Sequence, residues 1–175
     1  MEIENQYPIG QMEQIAFSAE AKTQMLNEIQ FLPNALEAAI ANLDEQQLQT
    51  PYREGGWTVH QLVHHIADSH MNGCERFKLG YTEDVPTIKP YDEAAWAKLA
   101  DVTELPVNIS VTLLYALHKR WYVFLKSLKD EDWQRKVYHP EYKKELTLWY
   151  YLQVYAWHGR HHVAQINYLR DKMRW

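Results

Sequence analysis

One stripe of side chains constrains this chain more than any other feature. Downstream of Thr147, the residues Leu148, Tyr151, Tyr155, His158, His162, Gln165 and Leu169 recur at alternating steps of three and four. Residues at that spacing share one face of an α-helix. A seam this regular packs against other helices at a small crossing angle. Two of its central positions hold imidazoles where leucine or isoleucine would be expected.

Three more segments keep the helical period. Ser18 can cap a helix whose face is Met25, Ile29, Leu32, Leu36, Ile40 and Leu43. Pro33 lies inside that pattern and predicts a kink or the start of a second segment. After Gly55-Gly56, Thr58 and Gln61 fit a capping box. The helix they open runs to about Leu79, with Val59, Val63, Ile66, His70 and Phe77 on its apolar face and Leu62 and His65 beside it. The third begins near Asn108 or Ser110 and carries Val111, Leu114, Leu117 or His118, Trp121, Leu125 and Leu128.

The intervening stretches read differently. Met1 to Phe17 has little periodicity and reads as an irregular arm. Tyr81 to Tyr91 contains Pro86 and Pro90 and reads as a loop, and Asp92 can cap a short helix to Leu99. Asp130 to Glu145 is irregular, with room for a hairpin around His139-Pro140. No stretch alternates convincingly as a strand. The expectation is a single all-α domain over 1–175, a four-helix bundle whose long 80–107 connection departs from plain up-down-up-down order.

Composition removes several classes. Apolar residues make up 46%, too many for a disordered chain. The net charge of −5 lacks the basic excess a nucleic-acid partner requires. A single cysteine excludes an internal disulfide and a Cys-rich zinc module. No basic-then-apolar leader opens the sequence, and no run nears the ~20 apolar residues of a membrane span. The expectation is a cytoplasmic protein with no membrane partner.

The nine histidines carry the chemistry. A His pair four apart on an exposed helix means nothing, but His158 and His162 occupy a buried seam. Unpartnered polar groups there cost roughly 1–3 kcal/mol each. A divalent metal removes the cost, because neutral imidazole suits zinc, nickel, copper or iron. The second long helix offers a third ligand from His60, His64, His65 or His70, and periodicity does not choose between His64 and His65. Gly159, Arg160 and His161 separate the pair, so the glutamate base of an HExxH site is missing. Gln165 can orient a group but cannot take a proton. Asp68 either holds a ligand histidine or faces solvent. Cys74 reads as buried packing. Arg76 and Lys78 could bind an anion, though pairing of Arg76 with a local carboxylate is the simpler expectation. Tyr151, Tyr155 and Trp157 suit core or pocket lining, and Arg160 suits an exposed position. No residue stands out as a catalytic base.

The string Gly55-Gly56-Trp57-Thr58-Val59, continuing His64-His65-Ile66-Ala67-Asp68-Ser69-His70, resembles the YfiT-type metal-dependent hydrolases of the DinB/YfiT superfamily. Trp157-His158-Gly159-Arg160-His161-His162-Val163-Ala164-Gln165-Ile166 extends the resemblance, which runs from Tyr7-Pro8-Ile9-Gly10 through nearly the whole chain. The resemblance implies a four-helix bundle with a long crossover. It implies a divalent metal, zinc or nickel, held by His65, His158 and His162, and a homodimeric cytoplasmic protein acting on a small-molecule substrate. Two chemistries follow from it: hydrolysis by activated water, or transfer of a low-molecular-weight thiol such as bacillithiol to a small electrophile; metal binding without turnover in a stress response is the non-enzymatic alternative.

Overall fold

The computed structural model describes residues 6–175. Four long helices dominate: α1 (Ala19–Ile40), α3 (Val59–Thr82), α6 (Val107–Ser127) and α7 (Leu148–Met173). Short helices α2 (Glu45–Leu48), α4 (Glu93–Trp96) and α5 (Ala100–Glu104) lie in the connections. A 3-10 turn (Asp130–Gln134) leads into an antiparallel hairpin of β1 (Lys136–His139) and β2 (Lys144–Thr147).

Capping chemistry sets most helix starts. Ser18 accepts from Ala21 N, Thr147 accepts from Tyr150 N, and Thr58 with Gln61 forms a complete capping box. Asp92 caps α4 through Ala95 N. The sequence pattern missed α2, although Asp44 and Gln47 form a second capping box, and α5, which has no side-chain cap. The helix α1 runs on through Pro33 as one element, so the second segment expected there does not form.

Each of α1 and α3 packs against both α6 and α7. The core has two apolar halves. One gathers Leu26, Ile29, Phe77, Trp121, Leu125, Trp133, Leu148 and Leu152. The other gathers Leu32, Leu36, Val59, Leu62, Ile66, Val111, Leu114, Ile166 and Leu169. Helix directions follow from the order in which each chain segment visits them. Helices α1 and α7 run from the first half to the second, and α3 and α6 run the other way. Because α3 and α6 are parallel neighbours, residues 83–106 must return the length of the bundle, about 32 Å for a 21-residue helix. This is the long crossover expected from the sequence. It is pinned to the hairpin by Ile88 N to Tyr138 O (3.1 Å) and Tyr138 N to Pro86 O (2.9 Å).

The arm lacks regular structure from residue 7 to 17 yet lies along α7. Gln165 Nε2 donates to Gln6 O, Trp157 Nε1 to Gly10 O, and Trp149 Nε1 to Ile15 O (2.8, 3.2 and 2.9 Å). The expected arm began at Met1, and its first five residues lie outside the described residues. None of the helices of the described residues is long and apolar enough to cross a membrane.

Gly73 lets α3 approach α7 and α6: a Cβ there would stand 2.6 Å from Tyr155 Cζ and 2.8 Å from Trp121 Cη2. Both rings are buried and have nowhere to retreat. Gly73→Ala should therefore cost about 1–3 kcal/mol by overpacking. The exposed Lys78→Ala should stay within about 0.5 kcal/mol. Urea midpoints of the two variants check the contrast.

Candidate metal centre

Between the two apolar halves lies a layer of imidazoles. His65 comes from α3, seven residues after its capping threonine, and rests against Trp57 with ring centroids 4.5 Å apart. His158 and His162 come from successive turns of α7. His65 Nε2 lies 3.0 Å from His158 Nε2, which lies 3.2 Å from His162 Nε2. One nitrogen from each of the three falls within 4.8 Å of the others.

The neighbouring histidines do other work. His60 Nε2 meets Val102 O at 2.7 Å, and His64 lies between Leu105 O and Ser110 Oγ at 3.2 and 2.8 Å. Those two pin the crossover, and His65 alone of the adjacent pair faces the cluster. His70, on the apolar face of α3, contacts His158 Nδ1 through Nε2 at 3.2 Å and His118 Nε2 through Nδ1 at 3.1 Å. His161 is buried beside the cluster, stacked on Trp157 at 4.4 Å and bonded by Gln165 Nε2 at 2.9 Å.

Gln165 fixes the polarity of one ring of the cluster. Its Nε2 faces the Gln6 carbonyl, which can only accept, so that atom is the amide nitrogen. Its Oε1 then accepts from His162 Nδ1 at 2.8 Å, so His162 carries its proton on Nδ1. The bare Nε2 lone pair of His162 is left pointing at the other two rings.

Burial holds His65 at about 4, and burial with the surrounding imidazoles holds His158 and His162 well below the ordinary histidine value. All three are therefore neutral, the form that ligates a metal. Three ligands at 2.0–2.1 Å from a tetrahedral zinc would have nitrogens about 3.3 Å apart. The two spacings from His158, 3.0 and 3.2 Å, are close to that value.

Other expected residues fall as follows. The side chain of Asp68 holds no ligand histidine among the described residues; burial and then Asp101 raise it to about 6. Cys74 is buried, and burial raises its thiol. Arg160 is half exposed and pairs with Glu28 at 3.1 Å. The carboxylate partner expected for Arg76 is absent among the described residues. Arg76 donates instead to Tyr155 Oη (3.0 Å) and Lys89 O (3.3 Å), and its buried Nε has no partner. Tyr151, Tyr155 and Arg76 line a cavity of about 180 Å³ that reaches His158. Tyr91, Glu93 and His139, which the sequence did not single out, share it. A second cavity of about 220 Å³, bounded by Tyr7, Arg53 and Trp57, reaches His162.

Residues 28–166 match the DinB superfamily, and the chain belongs to it. A protein of Bacillus mycoides strain KBAB4 named "putative metal-dependent hydrolase" is 50% identical over 170 residues, 97% of each chain. One of the same name from Bacillus cereus strain B4264 is 51% identical over 170 residues, again 97% of each. The structure of YfiT from Bacillus subtilis, described as a probable metal-dependent hydrolase with an unusual four-helix bundle topology, matches with a TM-score of 0.95 at 43% identity. It covers 98% of this chain and 99% of that one. The resemblance drawn from the histidine motifs and the four-helix fold both hold.

The buried imidazoles also set a pH dependence. His65, His118 and His161 are each held at about 4, first of all by burial. In the unfolded chain they titrate near 6.5. Between about pH 6.5 and 4 the unfolded state binds more protons, so stability falls as pH drops through that window. The melting temperature of metal-free protein should decline across it, and less steeply in His118→Phe. A flat wild-type profile would contradict neutral buried rings.

Proposed function

We propose that this chain is a metal-dependent hydrolase in which His65, His158 and His162 hold one divalent cation, zinc before nickel. The observation that carries the reading is the convergence of three neutral imidazoles from two helices, with the His162 lone pair locked inward by Gln165. The names of the Bacillus relatives and of YfiT support the same class. A cation held there supplies Lewis acidity and lowers the pKa of a bound water to about 7.

The chain's own residues do the rest. The cavity beside His158 holds the substrate. The unpartnered Arg76 Nε, with Tyr151 Oη also buried and unpaired, offers hydrogen bonds to an acceptor oxygen of the substrate. Tyr155 Oη, bonded to Arg76, keeps the guanidinium in place. The aromatic walls exclude bulk water, which strengthens those bonds.

Elemental analysis and hydrolysis of an ester and amide panel test the reading together. Protein purified without chelator should carry about one zinc or nickel per chain. His65→Ala, His158→Ala and His162→Ala should each lose it; His139→Ala and His161→Ala should keep it. Arg76→Met should retain metal but lower kcat/KM for the ester or amide that is turned over about 10- to 100-fold, the worth of one charged hydrogen bond. Turnover that requires an added thiol, with none by water alone, would replace hydrolysis by thiol transfer.

A further inference from the structure

The second nitrogen of His158 lies at the end of a hydrogen-bonded line that crosses all four long helices. It begins at a defect in α1. Pro33 has no N–H, so the carbonyl of Ile29, four residues earlier, has no helical donor. His118 Nδ1 of α6 occupies that vacancy. His118 Nε2 then meets His70 Nδ1 of α3 at 3.1 Å, and His70 Nε2 meets His158 Nδ1 of α7 at 3.2 Å.

The direction of every bond follows from the first. A carbonyl oxygen only accepts, so His118 carries its proton on Nδ1. His70 and His118 are 0% and 1% exposed, and their hydrogen-bond partners among the described residues are imidazoles and a carbonyl, with no carboxylate to offset a second proton, so both rings are neutral. A neutral ring has one N–H, so His118 Nε2 is bare and must accept from His70 Nδ1–H. By the same step His70 Nε2 is bare and accepts from His158 Nδ1–H. His158 Nε2 is then left with a lone pair facing His65 and His162. The reverse order would set two lone pairs against each other at Ile29 O, deep in the core.

We propose that His70 and His118, anchored on the Ile29 carbonyl that Pro33 leaves free, are positioning residues that fix which nitrogen of His158 faces the cluster. Gln165 does the same for His162 from the opposite side, so two of the three rings are locked by independent devices. Outer partners of this kind orient a metal-binding imidazole and raise its basicity. His70 and His118 themselves touch neither the substrate cavity nor the three-nitrogen cluster.

The test reads tautomers directly and needs the metal reading only for its affinity arm. In zinc-free protein labelled with 15N-histidine, long-range 1H–15N spectra near neutral pH should show His118, His70 and His158 all protonated on Nδ1. His118→Phe keeps a ring but removes both contacts. It should give His158 a mixture of tautomers and raise the zinc dissociation constant about tenfold or more. His118→Gln, which can both donate and accept, should recover much of the loss. A merely structural role would lower the melting temperature without changing the tautomer. Should His118→Phe not fold, Pro33→Ala supplies the missing helical N–H. It should weaken the His118 Nδ1–H bond and shift its resonance. A proton on His158 Nε2 in the wild-type protein overturns the proposal. So does an unchanged His158 tautomer in the folded variants. Uniform Nδ1 tautomers with no zinc uptake would uphold the line while removing the metal reading.

Discussion

The fold depends on making a polar layer tolerable in the middle of its core. Apolar clusters lie on either side of it, and between them α3, α6 and α7 present His65, His70, His118, His158 and His162, while α1 adds the Ile29 carbonyl. An unpaired buried imidazole costs about 1–3 kcal/mol, and a domain's whole stability is about 5–15 kcal/mol. Five unpaired rings would consume it. Each nitrogen therefore needs a partner of the right polarity, which restricts the helices to one register and one set of neighbours. The three Nε2 atoms at the cluster are where this pairing stops. With His162 locked by Gln165, the rings gather more lone pairs than protons, the arrangement a cation resolves.

Topology serves the same requirement. The cluster needs α3 and α7 side by side, and the line from Ile29 needs α6 beside both α1 and α3. An up-down-up-down bundle makes all its neighbours antiparallel. Here α3 and α6 are parallel, and the return path of residues 83–106 has a second use. His60 and His64 bind its carbonyls, and Gln61 Nε2 bonds Ala97 O at 3.0 Å. The crossover thereby holds the flank of α3 beside the cluster, and its Tyr91 forms a wall of the cavity beside His158.

The four long helices were legible because their signals are local. Ser18, Thr58 and Thr147 cap where their hydroxyls predict, and the seam of α7 is buried at Leu148, Tyr151, Tyr155, His162, Gln165 and Leu169, while His158, expected to be buried with them, is half-buried because a cavity opens beside it. The two seam histidines stood out because a helical period predicts burial, and burial makes an imidazole conspicuous. What was not legible is what two distant segments do to each other. Pro33 read as a helix breaker, since the sequence cannot show that a side chain of another helix takes the freed carbonyl. Arg76 read as an ion-pair partner, yet the fold surrounds it with tyrosines. His64 and His65 are adjacent and both buried, so only the resemblance to a family, and then the position of Ser110 and Leu105, separated the ring that faces the crossover from the ring that faces the cluster.

The N-terminal arm shows how far such non-local effects reach. It has no helical period and few strong propensities, yet it lies along α7 because that helix offers it donors: Gln165, Trp157 and Trp149 each bond an arm carbonyl. The contact at Gln6 is the consequential one. Without that carbonyl, the Gln165 amide could turn over and present Nε2 to His162 Nδ1, which would push the His162 proton onto the nitrogen that faces the cluster. A segment that looks like an unstructured leader thus decides a tautomer in the core. Tyr7 adds to this by packing on His161 at 5.5 Å and by bounding the cavity that reaches His162. The arm is therefore part of the site's wall as well as its wiring, and Gln165 is the seam residue of α7 at which the two meet.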